Sequence, residues 1–239
     1  MNLKTMHDIT AVIPAFNEDH TTLAALISGL EAKGAEVIIV DDGSDEAYPG
    51  SVMHGFNAGY GGAILTGMRY ATRPYILTLD GDGQHSADEA LRLYKAFKLI
   101  ESCDMLVGTR RLRDETPLRY LGRKFLNITA SCIACYWLPD LNSGLRIFSR
   151  KVALGYREIL CRQFSFTTSL TLSMLLDGYR IEWFPVRVYD RSYGKSRVKV
   201  IKHGFITLYY ILKLGFALRT RTLRAFLRSL RGKIAHIHG

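Results

Sequence analysis

The chain has 239 residues and a hydrophobic content of 48%, which is ample for one sizeable core and favours one domain with an appendage. Charge is uneven: residues 191–239 carry twelve Lys or Arg and no Asp or Glu, so totals of 32 basic and 22 acidic residues leave 20 and 22 in residues 1–190. We therefore expect an anionic partner for the basic end, and the N-terminal sequence predicts no signal peptide.

Strands and helices alternate in the first half of the chain. The predicted strands, each with the loop that follows it, are 8–18, 35–44, 75–83 and 103–110. The predicted helices are 21–34, the end of a glycine-rich segment at 54–71, and 86–100 with Ser86 as its cap. This alternation predicts an α/β fold with a mostly parallel sheet covered by helices on both faces.

The regular alternation fades beyond Arg111. We predict a long helix at 118–138, a loop and strand at 140–150, a helix at 164–180 and a strand at 181–192. Residues 199–234 are predicted to be helical and basic. We therefore predict a folded domain at 1–198 and an amphipathic tail at 199–239.

The stretch YILTLDGDGQH, residues 75–85, ends an apolar strand with two carboxylates one residue apart. An isolated D-x-D of this kind is more often a solvated turn. In extended chain, however, Asp80 and Asp82 point to the same side, and Gly81 allows a close approach of backbone and ligand. Carboxylate oxygens suit hard cations, so the alternative is a site for Mg²⁺ or Mn²⁺.

Other polar residues follow the predicted strands in the same way. Ligands bind at the carboxyl ends of the strands in open parallel sheets, so these residues are expected to share one edge and to favour the cation site. The residues concerned are Asn17, Glu18, Asp41, Asp42, Asp80, Asp82 and Arg110.

Two other kinds of site are disfavoured. Gly59, Gly61 and Gly62 do not complete G-x-G-x-x-G, because position 64 is Ile, and no Lys followed by Ser or Thr makes a P-loop. Cys132 and Cys135 form a C-x-x-C, but no second pair exists to complete a zinc site. Their surroundings predict a buried helix with inert core thiols, which fits a reducing compartment.

Six motifs occur in order: VIPAFNE, VDDGS, LDGDGQH, GTR, DLNSGLR and RSYGKSR. Together they resemble the family 2 glycosyltransferases of GT-A fold, and specifically those that act on dolichol phosphate or undecaprenyl phosphate. The resemblance covers about residues 8 to 215. It implies a Rossmann-like sheet, a nucleotide-sugar donor, a polyprenyl phosphate acceptor and a Mg²⁺ or Mn²⁺ cofactor.

The resemblance also implies roles for individual residues. The nucleotide-sugar would contact Pro14, Phe16, Glu18, Asp41, Asp42, Asp80, Gly81, Asp82, Gln84, Arg191 and Arg197. The metal would be held by Asp80, Asp82 and Gln84, and the acceptor phosphate by Arg110, Arg123 and Asn127. The residues expected to act in the transfer itself are Asp82, Arg110, Arg123 and Arg191.

The sequence departs from the family pattern at three of these positions. Phe16 stands where Tyr is common, Asn127 where some relatives have Ser, and Arg197 where Lys is usual. Many relatives also continue into transmembrane helices. Here the apolar run from Gly204 to Leu218 has only fifteen residues and contains Lys213, which is too short for a bilayer span.

The residues beyond this run predict an interfacial helix. Apolar side chains follow helical spacing, and arginines form a neighbouring stripe. The apolar positions are Leu223, Phe226, Leu227, Leu230 and Ile234, and the stripe is Arg221, Arg224, Arg228 and Arg231. We expect a peripheral protein at the cytoplasmic face of an anionic membrane, with a membrane protein or a second copy as a possible partner and no nucleic acid. A helix docked on the protein itself is the alternative.

The main hypothesis is therefore metal-dependent, inverting transfer of a sugar to a polyprenyl phosphate. Transfer to a sugar hydroxyl is a second hypothesis, but it needs a general base, and Asp140 is the only candidate outside the D-x-D. A sugar nucleotidyltransferase would carry its GTR after the first strand, whereas Gly108 follows the fourth. A non-catalytic membrane- or nucleic-acid-binding module would leave the acids at the strand ends without a role.

Overall fold

The computed structural model describes residues 5–110, 117–189 and 203–217. Within these ranges lie seven strands of one sheet: β1 (Ile9–Ala15), β2 (Glu36–Asp41), β3 (Val52–Met53), β4 (Tyr75–Thr78), β5 (Met105–Arg110), β6 (Arg146–Ser149) and β7 (Ile181–Val186). The helices are α1 (His20–Glu31), α2 (Tyr60–Tyr70), α3 (Ala87–Leu99), α4 (Pro117–Ala134), α5 (Arg150–Gly155) and α6 (Phe166–Leu176). A further helical stretch covers 203–217.

The sheet is mostly parallel, as the alternation of strands and helices predicted. Its order is β3-β2-β1-β4-β6-β5-β7. Strand β6 is antiparallel to both of its neighbours, β4 and β5, and every other pair is parallel. The short edge strand β3 was not predicted, because two residues are too few to show an apolar alternation.

Helices cover both faces of the sheet. Helices α1 and α3 pack on one face, where alternate β1 residues such as Ile9 and Ile13 meet Leu23 and Leu93. On the other face Val12 belongs to a second cluster with α2, α5 and α6. The alternation arises because successive strand side chains point to opposite faces. Burial of each such aliphatic side chain contributes roughly 1.5–3 kcal/mol.

A third apolar cluster lies away from the sheet. Leu126 and Ala130 of α4 pack against Leu172 of α6 and against Ile211 and Leu214 of the 203–217 helix. The first part of the predicted tail is therefore joined to the rest of the protein by core contacts. The boundary at 198–199 remains a prediction, as does the interfacial helix at 219–239, which lies outside the described residues.

One expectation for α4 is wrong. Cys132 and Cys135 are exposed and not core residues, while Cys161 is buried. Helix α4 packs through Leu126 and Ala130, so its other sides face outward. The sequence around the thiols is small and apolar on all sides, and it does not show which face of the helix is covered.

Candidate active site

The loops that follow β1 and β2 are joined to each other. The backbone N–H of Asn17 donates to Ser44 Oγ at 2.8 Å, and its side-chain amide donates to Asp45 Oδ2 at 3.0 Å. The backbone N–H of Asp45 returns a hydrogen bond of 2.7 Å to Asn17 Oδ1. Asn17 has a φ of 51°, a left-handed conformation that Asn tolerates better than most residues. The two adjacent loops therefore form one hydrogen-bonded unit.

Asp41 organises the loop that begins with it. Its Oδ1 accepts hydrogen bonds from the N–H groups of Gly43 and Ser44 at 3.2 and 2.8 Å, and its Oδ2 accepts one from Tyr48 at 3.2 Å. The side chain is buried. These contacts hold the turn after β2 in shape, and contact between Asp41 and a nucleobase stays a prediction.

Asp42 binds the glycine-rich segment at the start of α2. Its two carboxylate oxygens accept hydrogen bonds of 2.8 Å from the N–H groups of Ala58 and Gly59. His54 Nδ1 lies 2.7 Å from the same carboxylate. A negative charge is favourable at a helix N-terminus, where backbone N–H groups lack partners within the helix. Asp42 is therefore buried with its hydrogen bonds satisfied by the protein, and its contact with the base stays a prediction.

The glycines of this segment allow close packing. A Cβ added at Gly59 would lie 2.7 Å from the carbonyl oxygen of Arg162, and one at Gly61 would lie 2.1 Å from that of Cys161. Both distances are too short for non-bonded atoms. The glycine cluster thus lets α2 approach the chain at 161–163.

The D-x-D pair lies in the loop that follows β4. Asp82 is 5% exposed and accepts a hydrogen bond of 3.0 Å from the N–H of Gln84, while Asp80 is more accessible. Glu18 reaches this loop from the end of β1, since a Cβ on Gly81 would lie 3.5 Å from Glu18 Cγ. Five of the predicted donor-site residues are thereby brought together.

The second half of the chain also reaches Asp80. Gly144, in the loop before β6, lies so close that an added Cβ would be 2.8 Å from both Asp80 carboxylate oxygens. Its carbonyl accepts a hydrogen bond of 2.7 Å from Thr78 Oγ1. Tyr60 approaches from α2: burial raises the pKa of its phenol well above the usual value, and the nearby Asp80 carboxylate adds to that rise.

Arg146 fixes the loop that contains Gly144. Its guanidinium is completely buried and donates to the carbonyl oxygens of Ser143 and Thr167 at 3.0 Å and of Leu141 at 3.2 Å. A further bond of 3.0 Å goes to Thr171 Oγ1. Burial lowers the pKa of Arg146 to about 10, which still leaves it charged at neutral pH. The DLNSGLR motif contains this residue, but no role was predicted for it.

Arg110 forms an ion pair with Asp140 at the end of β5. Arg110 Nε and Nη2 donate to the two carboxylate oxygens at 2.9 and 3.0 Å. Burial alone would raise the pKa of Asp140, but Arg110 and then Arg123 outweigh it and hold this pKa below its usual range. Arg110, one of the predicted acceptor residues, is therefore paired with Asp140, and Arg123, another of them, is near enough for its charge to act on the same carboxylate.

His85 follows the D-x-D in the chain and is near enough to Arg110 and Asp82 for their charges to act on it. Burial, followed by the Arg110 charge, lowers the pKa of His85 to about 4, so the imidazole is neutral at pH 7. Its Nδ1 is buried and has no hydrogen-bond partner among the described residues. The LDGDGQH motif includes His85, but the spacing of the motif alone gave it no role.

Arg191 and Arg197 are predicted to contact the diphosphate, and the chain segment before them also approaches the D-x-D loop. The N–H of Tyr189 donates to the carbonyl oxygen of Gln84 at 3.0 Å. The N–H of Arg187 donates to Glu89 Oε2, also at 3.0 Å. Arg191 and Arg197 themselves lie outside the described residues, so their contact with a diphosphate stays a prediction.

The donor atoms around Asp80 and Asp82 fit a hard divalent cation. Both carboxylates are at one strand end, and carboxylate oxygens are the ligands that Mg²⁺ and Mn²⁺ prefer. The described ranges contain no group of three or more His, Cys, Asp or Glu arranged to hold a metal. A cation here would therefore be shared between these two carboxylates and other oxygen ligands, such as those of a diphosphate.

A mostly parallel sheet with this row of acidic loops is the architecture of a GT-A enzyme. The chain belongs to glycosyl transferase family 2, whose family model matches residues 10–156. The match extends from β1 to α5 and includes the D-x-D, the Arg110–Asp140 pair and Arg146. The chain is therefore a family 2 glycosyltransferase.

Two curated relatives cover most of the chain. A UDP-N-acetylglucosamine–dolichyl-phosphate N-acetylglucosaminyltransferase from Methanococcus voltae is 24% identical over 86% of this chain and 95% of its own length. The glycosyltransferase AglJ of Haloferax volcanii is 26% identical over 87% of this chain and 73% of its own.

Among solved structures, the glucosyl-3-phosphoglycerate synthase of Mycobacterium tuberculosis has the same fold. Its complex with Mn²⁺, uridine diphosphate and phosphoglyceric acid matches with a TM-score of 0.69 and 16% identity, over 89% of this chain and 80% of that one.

Proposed function

We propose that this enzyme transfers a sugar from a nucleotide-sugar to a polyprenyl phosphate, with inversion at the anomeric carbon. The observation that carries the proposal is the arrangement of charge at one edge of the sheet. Asp80 and Asp82 lie at the end of β4, and Arg110 lies at the end of β5, on the other side of the antiparallel β6. The charge of Arg123 acts on Asp140, the ion-pair partner of Arg110. The named activity of the Methanococcus voltae relative supports the same acceptor class.

The donor would bind to the loops after β1, β2 and β4. Pro14, Phe16 and Glu18 would contact the nucleoside together with Asp41 and Asp42. Their loops are held in place by the hydrogen bonds from Asn17 to Ser44 and Asp45, so little ordering is needed on binding. We assign Asp80, Asp82 and Gln84 to a Mg²⁺ or Mn²⁺ ion, which supplies positive charge to the diphosphate when bound. Mn²⁺ in the structural relative's complex supports this choice.

The acceptor would be its own nucleophile. A phosphate monoester has a second pKa near 6, so at neutral pH it is mostly a dianion and needs no general base. One phosphate oxygen forms the bond to the anomeric carbon while the bond from that carbon to the diphosphate oxygen breaks. The nucleoside diphosphate leaves with the electron pair. Arg110 and Arg123 would hold the incoming phosphate beside the anionic donor, since guanidinium groups match phosphate geometry.

Transfer to a hydroxyl would require a base, and the best candidate is already engaged. Both oxygens of Asp140 accept hydrogen bonds from Arg110, and its lowered pKa makes it a weak proton acceptor. An Asp in this state suits a site that organises cations better than one that removes a proton. This contact therefore favours a phosphate acceptor over a sugar hydroxyl.

A polyprenyl acceptor lies in a bilayer, so the enzyme should meet a membrane surface. Helix α4 exposes Leu121, Phe125 and Ile128, and the 203–217 helix packed beside it exposes large apolar side chains as well. Those of the second helix are Phe205, Tyr209, Leu212 and Phe216. We call these seven residues the apolar face. Solvent-exposed apolar side chains grouped in this way are typical of interaction sites.

The apolar face also carries positive charge. Lys124 Nζ lies 5.8 Å from the centre of the Tyr120 ring, and Lys213 Nζ lies 5.7 Å from that of Tyr209. The basic residues of 191–239 add to this charge. Of the helices described, none combines the length and hydropathy needed to cross a bilayer. We infer that the protein associates peripherally with an anionic cytoplasmic membrane surface through this face and the predicted basic helix.

The test is a transfer assay with the full chain. A panel of radiolabelled UDP- and GDP-sugars is incubated with farnesyl phosphate, and separately with isolated membranes, in Mg²⁺, Mn²⁺ or a chelator. We expect label from one donor to enter the organic phase as a phosphodiester only when a divalent cation is present. Label recovered in water-soluble glycan would favour a hydroxyl acceptor, and metal-independent transfer would contradict the metal assignment.

A further inference from the structure

The Arg110–Asp140 pair has one exposed partner and one buried partner. The side chain of Arg110 is 27% exposed, whereas that of Asp140 is only 4% exposed. The two carboxylate oxygens of Asp140 accept hydrogen bonds of 2.9 and 3.0 Å from Nε and Nη2 of the guanidinium. A guanidinium has five N–H groups in a planar fork, so this contact fixes the plane of Arg110 and leaves its other edge facing away from Asp140.

Asp140 is itself held by Asn127 of α4. The Asn127 side-chain amide donates to the carbonyl oxygen of Pro139 at 2.8 Å, and its Oδ1 accepts from the N–H of Leu141 at 3.5 Å. One side chain thus spans the residues on either side of Asp140. Ser131, one turn further along α4, accepts a 3.0 Å hydrogen bond from the N–H of Leu138. Helix α4 therefore fixes the backbone that presents the Asp140 carboxylate.

The same helix contains Arg123, one turn before Asn127. Its charge acts on Asp140 together with that of Arg110. Two guanidinium groups near one another repel each other, and a buried carboxylate whose charge acts on both offsets this repulsion.

We propose that Asp140 is a positioning residue that sets the affinity for the acceptor phosphate by orienting Arg110 and holding it near Arg123. Asn127 acts with it by fixing the Asp140 backbone. This inference rests on the proposed function, because it takes Arg110 and Arg123 as the acceptor-phosphate contacts. Asp140 itself does not touch the phosphate in this arrangement.

The test compares Asp140→Asn with the unchanged full chain, using farnesyl phosphate and the preferred nucleotide-sugar. Asn keeps the size of the side chain but loses the charge and one of the two acceptor oxygens. We expect the KM for farnesyl phosphate to rise about tenfold or more, as for the loss of a charge-assisted contact, and the donor KM to stay within about twofold. Glu182→Gln is the matched control, because it removes the partner of the exposed Arg180.

A second pair of variants separates positioning from general stability. Arg110→Ala should raise the farnesyl phosphate KM and lower Tm, since it leaves the buried Asp140 charge without its main partner. Adding Asp140→Asn to Arg110→Ala should raise Tm again and should not raise that KM further. A role in stability alone would lower the Tm of the Asp140→Asn single variant and leave its farnesyl phosphate KM unchanged.

Several outcomes overturn the inference. They are an unchanged farnesyl phosphate KM in Asp140→Asn, an equal loss of donor and acceptor binding, and a further rise of the acceptor KM when Asp140→Asn is added to Arg110→Ala. Failure of the proposed function is seen separately, in the unchanged protein: if it moves no sugar to farnesyl phosphate or to membrane lipid, the acceptor assignment is wrong and this inference falls with it.

Discussion

The two halves of the chain use buried carboxylates in different ways. In the first half, Asp41 and Asp42 accept hydrogen bonds mainly from backbone N–H groups, and so they determine the shape of loops. In the second half, Asp140 accepts from a guanidinium and determines the direction of another side chain. A carboxylate of the first kind builds a rigid binding surface, and one of the second kind controls a charge that can contact a ligand.

The largest effect is expected for Asp82→Asn in the first half. If Asp82 binds the cation, the change should reduce kcat/KM about 1000-fold or more, because a bound metal contributes several kcal/mol to the transition state. The thermal midpoint should stay within a few degrees. Asp88→Asn is the control, since Asp88 is an exposed residue of α3. Near-normal turnover in Asp82→Asn would contradict the assignment of a metal ion to this loop.

Arg146→Met tests the loop that joins the two halves. The change leaves the carbonyl groups of Leu141, Ser143 and Thr167 without their buried donor. We expect the free energy of unfolding in urea to fall by about 3 kcal/mol or more. Arg150→Met is the control, because Arg150 also donates to carbonyl groups but is partly exposed. Equal losses in the two variants would show that burial of Arg146 is not what matters.

Arg123→Ala sharpens the division between donor and acceptor. Losing one charge-assisted contact should reduce acceptor kcat/KM by one to two decades, or about 2 kcal/mol, while nucleotide affinity measured by calorimetry hardly changes. Arg191→Ala should instead impair use of the donor. Reduced nucleotide affinity with normal acceptor kinetics in Arg123→Ala would reverse the two assignments.

Phe216→Ser tests the apolar face. Phe216 is 74% exposed, so the change should affect the fold little and weaken binding to vesicles of phosphatidylglycerol and phosphatidylcholine several-fold, or about 1 kcal/mol. Leu99→Ser is the control: Leu99 is 71% exposed but lies at the end of α3, away from the apolar face. Equal vesicle binding by both variants and the unchanged protein would indicate that the apolar face binds a protein partner and not a membrane.

The smallest effect concerns pH and the Asp140 pair. The folded pKa of Asp140 lies below its ordinary value of 3.8, so its ionised form adds stability above that pH, and this stability is lost as the pH falls through the folded pKa. In Asp140→Asn, the free energy of unfolding, measured by urea titration at each pH, should therefore fall less steeply between pH 5 and pH 2.5. An identical slope would mean that the pair contributes nothing to acid stability.

The sequence allowed the fold and the row of acids to be predicted, because both depend on local patterns. Apolar runs ending in acid residues predicted the strands that became β1, β2 and β4, and the carboxyl ends of parallel strands lie along one edge. The resemblance to family 2 added the residues of the second half. The D-x-D loop and Glu18 follow these strands as the pattern indicated, while the roles of these residues and of Arg110 and Arg123 stay predictions.

The contacts between distant residues could not be predicted. Arg110 and Asp140 are 30 positions apart, and no periodicity shows that they pair. Arg146 looks like an ordinary strand arginine in the sequence, yet it is among the largest fully buried side chains. For the same reason the outward position of Cys132 was missed: it depends on which elements cover α4, and that is decided by tertiary packing.

The antiparallel position of β6 has a consequence for synthesis of the chain. Strand β5 pairs with β6 and β7, both of which are made after it, so β5 has no sheet partner when it leaves the ribosome. Until β6 emerges, β4 also presents an open edge on one side, and such edges invite pairing with other chains. A nascent chain shorter than about 150 residues therefore cannot join the strand that carries Arg110 to the strand before the D-x-D. Truncated products that end before β6 should therefore aggregate.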